Sequence, residues 1–305
     1  MDNNLPLVTI GIPTYNRAIM LKKAIESALN QDYIKIEVIV SDNASIDDTE
    51  NVCRRFCNTD TRFRYIRHAT NLGAKANFIE VLDKASGQFF MWLGDDDWIE
   101  PHYVSSCVEQ MIVDPTVVLV SGASKYYSSG KKMYDGNIFS LLQDYWWQRV
   151  LTYYWKVKDN GIFYGVMLTD VIRSIEMPNA MGGDWHMLAN IVSIGKAKML
   201  PDIYVHRELG GVSSSFENMA RICELSNLHA EFPMLSNAIS AWRDIAINGI
   251  HFKSYSRITR FFVALTVFTI ILFQFDIWFS RLIAIKMKFI KRPILPILRR
   301  MFSLF

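Results

Sequence analysis

"FFMWLGDDDWIEP", residues 89 to 101, places three consecutive carboxylates, Asp95, Asp96 and Asp97, directly after five large apolar or aromatic side chains, with Trp98 on the far side. Buried without partners, such a cluster would cost several kcal/mol or take up protons. A helix cap, a solvated turn or a cation site would each resolve the conflict. The segments that precede it show what kind of sheet the apolar run belongs to.

Residues 7 to 12, "LVTIGI", read as a β-strand running into "PTYNR", where Pro13 and Asn16 mark a strand-to-helix turn. Leu21, Ala24, Ile25, Ala28 and Leu29 recur at helical spacing and predict an amphipathic helix over 17–30. "IEVIVSD" (36–42) is a second buried-type strand that ends in a carboxylate. In "SIDD" (45–48) Ser45 is the expected N-cap, with Asp48 three residues on, for a helix through about Phe56. "FRYI" (63–66) is a short strand, Gly73 marks a turn before a helix to about Ala85, and "QFFMWL" (88–93) delivers the aspartates. This alternation predicts the α/β class, with an open, mostly parallel sheet flanked by helices. Such sheets bind ligands beyond the carboxyl ends of their strands. Thr14, Tyr15, Asp42 and Asp95 to Asp97 all fall there, so three strands aim polar residues at one crevice.

Further along, "VVLVSGAS" (117–124) is another strand and "GIFYGVMLT" (161–169) reads as extended. "LLQDYWWQRVLTYYW" (141–155) is either a sugar-stacking aromatic platform or core or membrane-proximal packing. "FFVALTVFTIILFQF" (261–275) has 15 residues without a charge, against the roughly 20 that a spanning helix needs. Basic and apolar residues, with Pro293 and Pro296, follow it. The expectation is a basic amphipathic segment lying in a membrane interface; a tilted or re-entrant helix and a packed helix are the alternatives. The chain thus divides into residues 1–125 carrying the crevice, 126–255, and a basic, apolar membrane-associating tail, 256–305.

The net charge of +3 hides an asymmetry. Residues 276–305 hold Arg281, Lys286, Lys288, Lys291, Arg292, Arg299 and Arg300 against Asp276 alone, a local +6 that leaves about −3 on the rest. This argues against nucleic acid as a partner of the main body and for an anionic surface at the C-terminal end. Cys53, Cys57, Cys107 and Cys223 include no CxxC pair, so reduced thiols are expected rather than zinc. "MDNNLPLVTIG" lacks the basic start and long apolar stretch of a secretory signal. The cytoplasmic face of a membrane is the expected location.

"IPTYNR", "VSDNASIDDT", "NLGAKANF" and "GDDDW", in this order, resemble the family 2 glycosyltransferases, densely over residues 7–101 and more thinly through "GGDW" (182–185) and "VHRELGGVS" (205–213). Within that family the pattern is similar to bacterial O-antigen and surface-polysaccharide transferases, including abequosyltransferase-like ones. The resemblance implies the GT-A fold and inverting transfer from a nucleotide-activated sugar (UDP, CDP, GDP or dTDP) to a glycan or lipid-linked oligosaccharide hydroxyl. It also implies a divalent cation, Mn²⁺ or Mg²⁺, which can stabilise the departing diphosphate as a Lewis acid. By the family's pattern Asp97 would ligate the metal, and Asp95 would contact the ribose or reach the cation through water. Asp96 would either ligate or brace the turn. Asp42 would meet the nucleobase edge, with Pro13, Thr14 and Tyr15 lining its pocket. Arg17 would approach phosphate, and Asn71 and Lys75 would flank a helix N-terminus that favours anions. Asp184, after two glycines read as flexible, would be the general base. His206 would complete the metal shell or touch the diphosphate, or else be a satisfied surface histidine; Gly210 and Gly211 suggest a segment closing over the donor. A nucleotidyltransferase and a non-catalytic membrane-bound assembly protein with a degenerate fold are the rival readings.

Overall fold

The structure, a computed structural model, describes residues 5–210 and 215–287. Gly211 and the last eighteen residues, including both prolines and five of the seven basic side chains of the tail, lie outside the described residues.

The first hundred residues alternate as expected: β1 (Val8–Thr14), α1 (Ala18–Leu29), β2 (Ile36–Asp42), α2 (Thr49–Thr59), β3 (Phe63–Arg67), α3 (Ala74–Asp83) and β4 (Phe89–Trp92). There follow β5 (Trp98–Ile99), α4 (Tyr103–Val113), β6 (Val117–Ser128), β7 (Lys131–Asp135), α5 (Trp146–Lys156), β8 (Val166–Leu168) and α6 (Thr169–Arg173). The chain continues through α7 (Gly183–Ile194), β9 (Lys196–Glu208), α8 (Phe216–Ile222), α9 (Asn227–Glu231), α10 (Pro233–Arg243) and α11 (Arg257–Met287).

One sheet runs in the order β3-β2-β1-β4-β8-β6-β9-β5, with β7 added to β6. Pairing is parallel among β3, β2, β1 and β4. Beyond β4 the sheet is mixed: β8 lies antiparallel between β4 and β6, while β6 and β9 are parallel. Successive strand residues point to opposite faces. Phe89, Met91 and Leu93 accordingly enter the core beneath α1 and α4, whereas Phe90 and Trp92 enter the larger core shared with α5, α7, α10 and α11. Burial on both faces explains why β1 and β2 read as mainly apolar runs, with the buried Thr9 hydroxyl donating to Glu37 between them. β6 passes through residue 125, so the sheet is continuous across that division of the chain.

Two local expectations are corrected, and one open alternative is narrowed. Residues Gly161–Tyr164 form a 3-10 turn rather than a strand, because Gly161 and Gly165 close hydrogen bonds to Asp159 and Ile162. Asp48, not Ser45, stands at the N-cap of α2; the Asp47 carboxylate accepts from the Thr49 amide, and the Ser45 hydroxyl is used by the Asn16 amide. The aromatic segment holds helix α5, whose Tyr153 and Tyr154 are fully buried and pack in the core, while Tyr145, Trp147 and Trp155 remain exposed.

α11 is a packed helix over its first half. Arg260, Val263, Ala264, Val267 and Ile271 form a buried stripe, and Gln274 donates to the Tyr154 and Trp155 carbonyls. Its other face leaves Ile258, Phe261, Phe262 and Leu265 in solvent. Residues Arg257–Gln274 are long and apolar enough to cross a membrane by length and composition.

Candidate active site

β1, β2 and β4 end side by side, and the turn after β4 folds back over them. Gly94 permits this, since a Cβ there would stand 2.7 Å from the Asp97 Oδ2. Asp95 and Asp96 are partly exposed, but Asp97 is buried at 3% exposure, so it does not emerge into solvent as its neighbours do. Thr14 Oγ1 donates to Asp95 Oδ2 at 2.8 Å. Arg17 donates to Asp96 and stands 3.8 Å from Asp95 Oδ1, so this guanidinium meets two of the three carboxylates.

Asp97 is held from the opposite side. Its Oδ1 accepts from the Glu208 amide at 3.1 Å, and Arg207 Nε lies 3.5 Å from its Oδ2. Arg207 also donates to the hydroxyls of Tyr126 (3.0 Å) and Tyr164 (3.3 Å) and packs over both rings. Tyr126 passes the network on to Asp159 at 2.9 Å. The Tyr164 phenol, whose pKa burial raises, lies within the fields of Asp97, Asp96 and Asp184. The turn Gly161–Tyr164 therefore bridges the two sides, with Tyr164 at one end against Arg207 and Asn160 at the other donating to Asp184 of α7.

Asp184 occupies the first turn of α7, and Asn160 Nδ2 donates to its Oδ2 at 2.5 Å. Burial raises its pKa; the Asn160 bond, the first amides of α7 and the Arg207 charge oppose the shift. The two preceding glycines are there for shape rather than mobility. Gly182 adopts a left-handed φ of 69°, and a Cβ on Gly183 would meet the Pro178 carbonyl at 2.3 Å. Gly183→Ala is expected to lower stability by about 1–3 kcal/mol through overpacking, read as a fall in Tm; an unchanged Tm would show that the Pro178 loop gives way freely.

Two expected site residues are placed differently. The Asp42 carboxylate is fully buried and already accepts from the Ser45 amide, the Tyr65 hydroxyl and Arg67, so it organises the loop after β2 instead of offering a free edge to a base. Its neighbour Asn43 staples that loop to residues 71–73: Nδ2 donates to Asn71 Oδ1 and the Gly73 carbonyl, and Oδ1 accepts from the Leu72 amide. His206 is directed away from the carboxylates. It stacks on Trp98 at 4.9 Å, with Nδ1 against the Tyr127 hydroxyl and Nε2 facing Glu100. Adjacent strand residues face opposite ways, so Arg207 takes the place beside Asp97 expected for His206. Pro13 is buried within β1, Tyr15 presents an exposed ring beyond it, and Lys75 sits in the first turn of α3.

Among the described residues no group of three or more His, Cys, Asp or Glu side chains forms a metal cage. A hard cation does not need one, since Mg²⁺ is typically held by one or two carboxylates and completes its shell with water and substrate phosphate. Asp95 and Asp97 supply that kind of donor. Burial, with the Asp96 charge adding to it, pushes Asp95 up to about 6 against the opposition of Arg17 and Thr14. Burial likewise raises Asp97, although Arg207 opposes it. Two carboxylates held above their ordinary range fit a site that a cation would relieve.

Acidic residues thus stand at the carboxyl ends of the central parallel strands and at the start of α7. The Glycosyl transferase family 2 profile matches residues 9–173, more than half of the chain, and the chain belongs to that family. It is 40% identical over 94 residues, 30% of each protein, to the GalNAc(5)-diNAcBac-PP-undecaprenol beta-1,3-glucosyltransferase of Campylobacter jejuni. The matched stretches cover 22 to 40% of the lengths of the first curated relatives. Its fold is shared with the mannosyltransferase PcManGT of Pyrobaculum calidifontis, solved with GDP-Man and Mn²⁺ (TM-score 0.56, 18% identity, 88% of this chain and 75% of that one). It is shared equally with Staphylococcus aureus TarS 1-349 in complex with UDP (TM-score 0.55, 16% identity, 83% and 73%). The GT-A architecture is thereby shown.

Proposed function

We propose that this protein transfers a sugar, with inversion, from a nucleoside-diphosphate donor to an acceptor hydroxyl, in the synthesis of a bacterial surface polysaccharide. The observation that carries the reading is the meeting of the Asp95–Asp97 turn and Asp184 around Arg207 and Tyr164 at the carboxyl ends of β1 and β4. Asp95 and Asp97 would hold a divalent cation, whose Lewis acidity would offset the charge developing on the departing diphosphate. Thr14 fixes Asp95, and Arg207 fixes Asp97. The Tyr15 ring offers a face to the base. Asp184 takes the proton from the acceptor hydroxyl, and its raised pKa strengthens it as a base. A lipid-linked oligosaccharide acceptor agrees with the undecaprenol-linked acceptor named for the Campylobacter relative and with the exposed apolar face of α11. That face, with the basic residues that follow it, supports work at the cytoplasmic surface of the inner membrane.

Product analysis tests the reaction. Incubation with nucleotide sugars and Mn²⁺ is expected to release free nucleoside diphosphate; pyrophosphate would instead establish nucleotidyl transfer.

Cation binding should depend on pH. The folded pKa of Asp95 lies above its unfolded value, so the folded state holds more protons between about pH 4 and about pH 6, and ligand-free stability falls as pH rises through that window. A bound cation requires the deprotonated carboxylate. The thermal shift given by Mn²⁺ with nucleoside diphosphate is therefore expected to be larger at about pH 7.5 than at about pH 5. Equal shifts would remove Asp95 from the metal set.

A further inference from the structure

α10, the π-helical turn Asp244–Asn248 and the start of α11 border an open cavity of about 660 Å³ lined by Trp242, Ala246, Ile247, Lys253, Arg257, Arg260 and Phe261. Three of these residues are cations and none is acidic. Arg260 is only 8% exposed, and its Nε and Nη1 are buried without a hydrogen-bond partner. Neither Lys253 nor Arg257 forms an ion pair among the described residues. A buried guanidinium with two orphan donors is costly unless something anionic completes it. Past Arg257 the only acidic residue in the sequence is Asp276, sixteen residues beyond Arg260 and so about 24 Å along the helix axis. The nearby Asp244 carboxylate accepts from Asn190 and lines a different cavity.

The geometry points to a lipid-borne phosphate as the occupant, and we propose that this cavity binds the headgroup of an anionic phospholipid. A guanidinium fork matches phosphate oxygens in two-point contact, and Lys253 and Arg257 add charge at the mouth. The surroundings select lipid over free phosphate. Phe261 is half exposed, and Ile247, Ile250, Ile258, Phe262 and Leu265 extend an uncovered apolar surface from the mouth of the cavity along α11. A soluble anion gains nothing from that rim, whereas acyl chains do. The site rests on the membrane-surface reading above and locates one of its contacts.

The test uses the full chain, with Arg260→Met and, as an equal-charge control on the exposed β7 hairpin, Lys131→Met. Dihexanoyl-phosphatidylglycerol below its micelle concentration is expected to raise Tm in the wild type and Lys131→Met, but not in Arg260→Met. Without ligand, Arg260→Met should melt no lower than the wild type, because it removes an unpaired buried charge. Should that variant fail to fold, Lys253→Gln at the mouth is expected to weaken the shift. Flotation on phosphatidylcholine vesicles with about one fifth phosphatidylglycerol should weaken roughly fivefold to tenfold in Arg260→Met. An undiminished lipid shift in Arg260→Met would overturn the site, as would equal protection by inorganic phosphate. If the wild type fails to float but the soluble lipid shift depends on Arg260, the headgroup site stands and the membrane reading fails. If both proteins float equally, the site falls and the membrane reading stands.

Discussion

Asp97→Asn is expected to lower sugar transfer by about 10²–10³-fold, the loss associated with removing one preorganised electrostatic group from a reacting site. The substitution keeps the side chain's size and an oxygen for the Glu208 amide, so the turn after β4 should survive. What it removes is the negative charge that faces Arg207 at 3.5 Å and would face a cation. The loss should appear in kcat, together with loss of the Mn²⁺-dependent nucleotide thermal shift. Transfer within tenfold of the wild type would take Asp97 out of the mechanism.

The same residue carries a second expectation, about stability. Asp97→Ala strands a largely buried guanidinium, and breaking a buried pair from one side costs about 3–5 kcal/mol. Adding Arg207→Met to Asp97→Ala should recover part of that, because the orphan charge goes with its partner. Melting curves of the two single variants and the double variant distinguish this coupling from simple additivity. Additive losses would show that Arg207 is satisfied by Tyr126 and Tyr164 alone.

How much of this was legible beforehand follows from where the sheet is regular. β1, β2 and β4 are buried on both faces, so each reads as a short apolar run closed by Pro13, by Asp42 or by the Gly94 turn. Five-residue β3 and helices α1 and α3 follow from periodicity and punctuation. Past β4 the sheet stops being regular. β5 has two residues and β8 three, too few to show a period. β9 is thirteen residues long but contains Pro201 and Asp202 and shifts register against β6 near Gly122, so no run of alternation announces it.

That irregularity is also why one expected side chain was the wrong neighbour. "HRE" places His206, Arg207 and Glu208 within reach of the aspartates, but only strand parity decides which of them faces inward. Parity is set by the pairing of Trp98 with His206, invisible without the fold. Arg207, Tyr126, Tyr164 and Asn160 went unread for a related reason, since they come together across separations of 24 to 111 residues. Local chemistry could be read in the aspartate turn, whose own composition is unusual. The cations and phenols that hold it are ordinary residues made special by position.

Asp184→Asn is the second large effect expected, a fall of about 10²–10⁴-fold in transfer with nucleotide binding left near the wild-type level. Asparagine can still accept from Asn160 at its oxygen, so the start of α7 should hold while the proton acceptor is lost. The pH profile makes the assignment specific. A base works only when deprotonated, and burial places the Asp184 pKa above the ordinary carboxylate range, so wild-type kcat/KM should fall as pH drops through that raised value. The residual activity of Asp184→Asn should lack this acidic limb. The sign for stability is opposite: a carboxylate whose folded pKa is raised weakens the fold as pH rises through it, so the variant should be no less stable than the wild type near neutrality. If Asp184→Asn keeps its rate and its acidic limb, the base must be another carboxylate of the crevice. Asp159 is the nearest in the network, but it already accepts from Tyr126, the Asn137 amide and the Gly161 amide. Those contacts already occupy both of its oxygens, which is the physical reason Asp184 is placed first.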